Sequence, residues 1–233
     1  MKREIEIKYL LKNELERNKL VANLQNKYPK LIHKGPQPIK SYYYENNPTK
    51  KQVLRAASVL LNEKERIEEL ENVINNSEEF VVRCRSLSDN VSFAVKGASA
   101  GKDPLHAENR LEFEAPLLKS LDEVNRIFQE AGLKIVSRWS GVRDSYSLDG
   151  TINAELEFMS GYGYKVELEI LINDGESISS ATEKLNELAK VLVLVKAKAG
   201  LLANMYEYYN ANWQQYFDTS KVFNDKTWKT LGR

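Results

Sequence analysis

Near the amino terminus, Glu4-Ile5-Glu6-Ile7-Lys8-Tyr9 alternates charged and apolar residues one by one. In a strand such a period of two puts Ile5, Ile7 and Tyr9 on one face and Glu4, Glu6 and Lys8 on the other. The same alternation returns in Arg110-Leu111-Glu112-Phe113-Glu114, in 152–158 with Glu155 and Glu157 on one face, and in 164–171, where Lys165, Glu167 and Glu169 oppose Val166, Leu168 and Ile170. Further β-prone runs are 39–45, 80–87, 91–97 and 135–148, which brings the reading to eight β segments. The polar stretch Ser88-Asp89-Asn90 reads as a hairpin connection, and Asp149-Gly150 as another.

Four stretches carry helical spacing instead: 12–27, 49–75, 120–131 and 180–217, the last broken near Gly200. The third opens on Ser120-Leu121-Asp122-Glu123, a capping box, and closes at Gly132. Pro29, Gly35, Pro36 and Pro38 read as a break between the first helix and the second strand. The stretch 49–75 reads as a helical insertion between strands, and 218–233 as a tail carrying no signal. No domain boundary stands out, so 1–217 is expected to form a single α+β domain.

Composition narrows the function. The 233 residues are 42% hydrophobic, enough for a full core. With 34 Lys+Arg against 33 Asp+Glu, the formal charge of +1 gives no net field for nucleic acid or an anionic membrane, so neither is expected as a partner. One cysteine, Cys84, excludes an internal disulfide, and two separated histidines, His33 and His106, exclude the usual zinc ligand sets. A charged amino terminus without an apolar run, and the absence of a span-length apolar segment, lead to the expectation of a soluble, cytoplasmic protein. The oligomeric state stays open.

What remains is the charged rows. Parity collects Glu4, Glu6, Glu112, Glu114, Glu155, Glu157, Glu167 and Glu169 with Lys8, Arg83, Arg85, Lys96, Arg110 and Lys165. Arg138 and Arg143 are five apart and would face opposite ways, unless a bulge at Gly141 resets the register; such a bulge is predicted. Alternation leaves two arrangements: rows turned outward as a solvated surface, the simpler one, or turned into a lumen where each ion needs a partner. Clustered carboxylates without His or Cys suit Mg²⁺ or Mn²⁺, and nearby Arg and Lys suit phosphate oxygens.

The ordered series Glu4-x-Glu6-x-Lys8, Arg83-x-Arg85, Lys96, Arg110-x-Glu112-x-Glu114 and Glu167-x-Glu169 resembles the CYTH, or triphosphate tunnel metalloenzyme, family over residues 2 to 171. Class IV adenylate cyclases, thiamine triphosphatases and inorganic triphosphatases are among its members. The resemblance implies an eight-stranded antiparallel closed β-barrel with flanking helices and a charged tunnel, which reverses the outward arrangement. It implies metal ligation by Glu4, Glu6, Glu167 and Glu169, with Glu112 or Glu114 on a second metal. Glu157 occupies the position of an aspartate in the family, and Gly163 matches its glycine. Phosphate contacts fall to Lys8, Arg83, Arg85, Lys96, Arg110 and Arg143, with Arg138 joining them if the bulge forms. Lys8 and Glu114 are the candidates for a direct catalytic role. The implied activity is Mg²⁺- or Mn²⁺-dependent hydrolysis of a small-molecule triphosphate. An adenylate cyclase, forming cyclic AMP and pyrophosphate, is the alternative within the same fold, and a non-catalytic triphosphate or polyphosphate binder is the alternative from another class.

Overall fold

The computed structural model describes residues 3–45, 48–98, 109–173, 175–198 and 200–233, with side chains throughout except at 3, 109 and 110. In chain order the elements are β1 (Arg3–Leu10), α1 (Glu14–Lys27), β2 (Ile32–Tyr44), α2 (Lys50–Leu60), α3 (Lys64–Asn75), β3 (Glu79–Leu87), β4 (Asn90–Ala98), β5 (Asn109–Leu117), α4 (Leu121–Glu130), β6 (Ile135–Leu148), β7 (Ile152–Met159), β8 (Gly163–Ile172), α5 (Ile178–Val191), α6 (Leu201–Asn212) and α7 (Asp225–Leu231). The class is α+β, with eight antiparallel strands and seven α-helices among the described residues. No helix among them is long and apolar enough to cross a membrane.

The chain divides into two compact units, 1–38 with 140–233 and 39–139. In the first, β1 pairs with β8, β8 with β7, and β7 with β6, all antiparallel. In the second, β2 pairs with β3, β3 with β4, and β4 with β5, again antiparallel. The eight antiparallel strands that the expected barrel calls for are thus all present, four in each unit.

The apolar faces are where parity puts them. Ile5, Ile7, Tyr9, Val166, Leu168, Ile170, Ala154 and Leu156 pack with Leu20 and Leu24 of α1 and Leu185 and Leu188 of α5. In the second unit an aromatic cluster joins sheet to helix: Phe93 lies 5.6 Å from Phe113 and 5.1 Å from Phe128 of α4, which also meets Tyr44 at 4.9 Å. The predicted capping box opens α4, Ser120 accepting from the Glu123 backbone amide and Glu123 from that of Ser120. A second one, Thr49 with Gln52, opens α2.

Four expectations change in detail. The stretch 49–75 is two helices, interrupted at Leu61, whose backbone is extended. The long C-terminal helix is α5 and α6, separated from Leu192 onward because Val193 adopts a left-handed φ of 57°. The break at 29–38 is mostly strand: β2 starts at Ile32, and its exposed first half admits Pro36 and Pro38. No bulge forms at Gly141, since the β6–β7 ladder runs one to one from Gly141↔Met159 to Leu148↔Ile152. The glycine is needed for close approach instead, because a Cβ there would stand 2.1 Å from the Phe158 carbonyl oxygen.

The tail is also structured. Gly161 donates its amide to the Lys221 carbonyl (2.8 Å) and accepts from the Phe223 amide, which fastens the β7–β8 turn to the chain ahead of α7. A Cβ on Gly161 would meet the Tyr209 ring at 2.5 Å, so only glycine fits beneath that aromatic.

Candidate functional site

In each unit the strands have a face opposite the helices, and that face carries the charged rows. They are not a solvated surface: Glu6, Glu155, Glu157, Lys165 and Glu167 in the first unit, and Arg83 and Lys96 in the second, are buried. Ions are kept out of water only where partners compensate them. Burial of these residues excludes the solvated arrangement that alternation alone makes simpler.

In the first unit the register sets the charges in cross-strand rows. Glu6 lies opposite Glu169, which lies opposite Asn153, which lies opposite Ser147. One step along, Lys8 faces Glu167, Glu167 faces Glu155, and Glu155 faces Ser145. A third row pairs Lys165 with Glu157 and Glu157 with Arg143. Like charges directly opposite one another destabilise a sheet, so Glu6–Glu169 and Glu155–Glu167 each call for a cation.

The two pairs are compensated differently. Glu155 and Glu167 have Arg143, whose nitrogens lie 3.6 and 3.9 Å from their oxygens, and Glu167 also has Lys165 at 2.8 Å. Glu157 is held from both sides, by Arg143 Nε at 2.7 Å and Lys165 Nζ at 2.7 Å. Burial pushes the Glu157 carboxyl up, but Arg143 and Lys165 outweigh it and hold it well below the usual carboxylate range. Burial likewise pushes the Lys165 ammonium down, and Glu157 and Glu167 reverse this and keep it well above its ordinary value. At Glu155 burial prevails over Arg143 and the Ser145 hydrogen bond, and the carboxyl is raised.

At the other end, Glu4, Glu6 and Glu169 each offer a carboxylate oxygen within 4.8 Å of the others, the group of three acids among the described residues with metal-ligand spacing. Asn153 donates Nδ2–H to Glu169 Oε1 at 3.2 Å. Lys8 pairs with Glu6 and stands 3.7 Å from Glu167, between the two compensation schemes. Three hard oxygen donors without nitrogen or sulfur fit Mg²⁺ or Mn²⁺.

The second unit's face is predominantly basic. Arg85 reaches Glu114 at 3.0 Å, Lys96 reaches Glu112 at 3.0 Å, and Arg83 lies 3.8 Å from Glu114 and 4.0 Å from Glu112. The Ser92 hydroxyl donates to Glu114 at 2.6 Å. Burial pushes Glu114 up, but Arg85 and Arg83 override it and bring it down to about 2. Nε of Arg83 is buried and without a hydrogen-bond partner among the described residues, a donor suited to an anion's oxygen.

Of the predicted metal ligands, Glu4, Glu6 and Glu169 thus come together. Glu157 and Glu167 are committed to Lys165 and Arg143, and Glu112 and Glu114 to the basic residues of the second unit. Lys8, Arg83, Arg85, Lys96 and Arg143 all lie on charged faces. Arg138 does not join Arg83 and Arg85. Its guanidinium stacks 4.8 Å over the Tyr42 ring, and Tyr42 pairs with Cys84, whose side chain points away from the arginines on either side of it. Arg138 was placed by the bulge, and without a bulge its parity reverses. The Arg110 side chain and His106 lie outside what is described. Three residues were missed or left without a role: Asn153 and Ser145, which share a face with Glu155 and Arg143 by the same period of two, and Lys165, two before Glu167. His33 is not isolated either: it bonds to Asp144 at 2.9 Å and stacks on Tyr146 at 4.4 Å.

No family model matches the sequence, and no curated protein matches it significantly. Solved structures do. The PH1819 protein of Pyrococcus horikoshii OT3 superposes with a TM-score of 0.59 at 17% identity, over 88% of this chain and 99% of that one. A conserved hypothetical protein of Pyrococcus furiosus gives 0.56 at 20%, over 82% and 91%. A Vibrio parahaemolyticus protein described as a "putative adenylate cyclase" gives 0.54 at 15%, over 82% and 88%. The fold is accordingly of the CYTH, or triphosphate tunnel, type. At these identities the likeness is one of fold.

Proposed function

We propose that the chain is a divalent-cation-dependent enzyme that hydrolyses a small-molecule triphosphate. The observation that carries this reading is the juxtaposition of Glu4, Glu6 and Glu169, within 4.8 Å and including a like-charge cross-strand pair, on a face whose ions are buried. These three would hold Mg²⁺ or Mn²⁺, which when bound neutralises phosphoryl oxygens and lowers the barrier to attack by water.

The remaining roles belong to the chain's own groups. Arg83, Arg85 and Lys96 offer several donors to phosphate oxygens, and the guanidinium forks suit bidentate contact. Arg83 and Arg85 are braced by Glu114, which fixes their planes while its own charge persists at any working pH, because it is held down to about 2. That makes Glu114 a positioning residue rather than a proton donor. Lys8, flanked by Glu6 and Glu167, holds an ammonium beside the metal carboxylates, where it can orient water or offset charge on the transferred group. Arg143 is the more constrained cation; its bonds to Glu157 stiffen the face as well as charging it.

The Vibrio protein's description favours one rival, cyclisation of ATP by the ribose 3′-hydroxyl in place of water. A panel of inorganic triphosphate, ATP, GTP and thiamine triphosphate with Mg²⁺ or Mn²⁺, scored separately for phosphate, pyrophosphate and cyclic nucleotide, decides between them. Orthophosphate release supports hydrolysis. Cyclic AMP with pyrophosphate overturns it in favour of the cyclase, and tight binding without product does so in favour of a binder.

A further inference from the structure

The family resemblance implies one or two divalent ions, with Glu157 and Glu167 among their ligands, yet these two carboxylates already hold a cation of the chain's own. Lys165 Nζ lies 2.7 Å from Glu157 Oε2 and 2.8 Å from Glu167 Oε1, bridging them as an ion would. The register makes the bridge obligatory: Lys165 is directly opposite Glu157 across β7–β8 and shares a strand face with Glu167. The other Glu157 oxygen is taken by Arg143 Nε at 2.7 Å. Lys165 as a whole is only 5% exposed, so its ammonium has no alternative position in solvent without the strand face opening.

We propose that Lys165 is a resident cation standing where a second divalent ion would bind, so that this face takes a single metal ion, at Glu4, Glu6 and Glu169. A compact ammonium with three donors can satisfy two carboxylates as a hard metal does, but it is tethered and cannot be chelated away. An incoming dication would meet that charge at contact distance in a medium of low dielectric, where repulsion is strong. Arg143, Glu157, Lys165 and Glu167 then form a neutral quartet, two acids and two bases, while Glu4, Glu6 and Glu169, with Lys8 paired to Glu6 alone among them, keep the spacing a metal requires. Lys165 acts as a positioning residue for Glu167 and Glu157 and decides the metal count.

The proposal rests on reading Glu4, Glu6 and Glu169 as ligands, and the test separates the two ideas. Mn²⁺ bound per chain is counted from the loss of the free aquo-ion EPR signal, in full-length wild type, Lys165→Met, Lys165→Gln, Glu167→Gln and Glu169→Gln. The expected counts are one for wild type, two for each Lys165 variant, still one for Glu167→Gln, and none for Glu169→Gln. Two ions on the wild type, or one on both folded Lys165 variants, overturns the proposal. No ion on the wild type overturns the ligand reading, and an ion gained by the Lys165 variants would even then support the role of Lys165. Should neither Lys165 variant fold, the wild-type and Glu167→Gln counts decide: an ion lost with Glu167→Gln would make Glu167 a ligand and sink the idea.

Discussion

Arg143→Met is the most informative single perturbation of the buried ion network. Arg143 bonds to Glu157 through Nε at 2.7 Å and lies 3.6 Å from Glu155 and 3.9 Å from Glu167, and its side chain is 12% exposed. Methionine keeps most of the aliphatic volume, so the loss is one of charge. Breaking a buried pair by deleting one partner costs about 3–5 kcal/mol. At about 2–4 °C per kcal/mol for a chain of this size, the melting temperature should fall by about 6–20 °C. Removing Glu157 as well, in Arg143→Met/Glu157→Leu, should recover most of this, because apolar replacement of a complete buried pair is close to neutral. The pH dependence has a definite sign. Glu155 is already raised by burial against the pull of Arg143, and without Arg143 its folded value must rise further. A carboxyl raised in the folded state penalises folding once the unfolded chain has ionised, so the deficit should be small below the ordinary glutamate value and grow as pH rises. Thermal melts of the three proteins between pH 4 and 8 read all of this. A single variant within about 2 °C of wild type at pH 7.5, or a double variant no better than the single, would refute the claim that these ions are buried and mutually dependent.

Three further outcomes are expected. Asn153→Ala frees Glu169 Oε1 from its hydrogen bond, and calorimetric titration should show Mn²⁺ affinity lowered about 10–100-fold. Val193 sits in the left-handed position that closes α5, its amide bonded to the Lys190 carbonyl and that of Leu194 to Ala189, and it is mostly exposed. Val193→Gly relieves roughly 1–2 kcal/mol of strain against roughly 0.5–1 kcal/mol of added chain freedom, so the melting temperature should hold or rise, by up to about 6 °C. Cys84 is fully buried, and burial pushes its thiol far above the ordinary range despite the Tyr44 hydrogen bond. Alkylation at pH 8 should label it only after denaturant is added; labelling of the native protein would contradict this packing.

How much of this was legible in the residue order can be argued strand by strand. Ile5, Ile7 and Tyr9 against Glu4, Glu6 and Lys8 gave both faces of β1, because period two is a purely local property. The Ser120–Glu123 cap was equally local. Burial of the charged faces was not, since strand alternation reads the same whether the polar side meets water or protein, and only the resemblance pointed inward. Arg138 shows the cost of a nonlocal guess: a bulge at Gly141 was invoked to bring it beside Arg143, whereas that glycine answers to the Phe158 carbonyl across the ladder. Val193 could not have been anticipated, because a β-branched residue in a left-handed cap runs against local preference. Glu169 and Glu167, identical in motif and two residues apart, differ in what each meets: Asn153 across the ladder for one, and the ammonium of Lys165 on its own strand for the other.

The claim at the centre is metal-dependent turnover of a triphosphate at Glu4, Glu6 and Glu169. Its most direct test is orthophosphate release from inorganic triphosphate with Mn²⁺, comparing wild type, wild type with excess EDTA, and Glu169→Ala. Release by the wild type, abolished by EDTA and lowered at least 100-fold in the variant, is the predicted result; release that persists undiminished in Glu169→Ala would contradict the account.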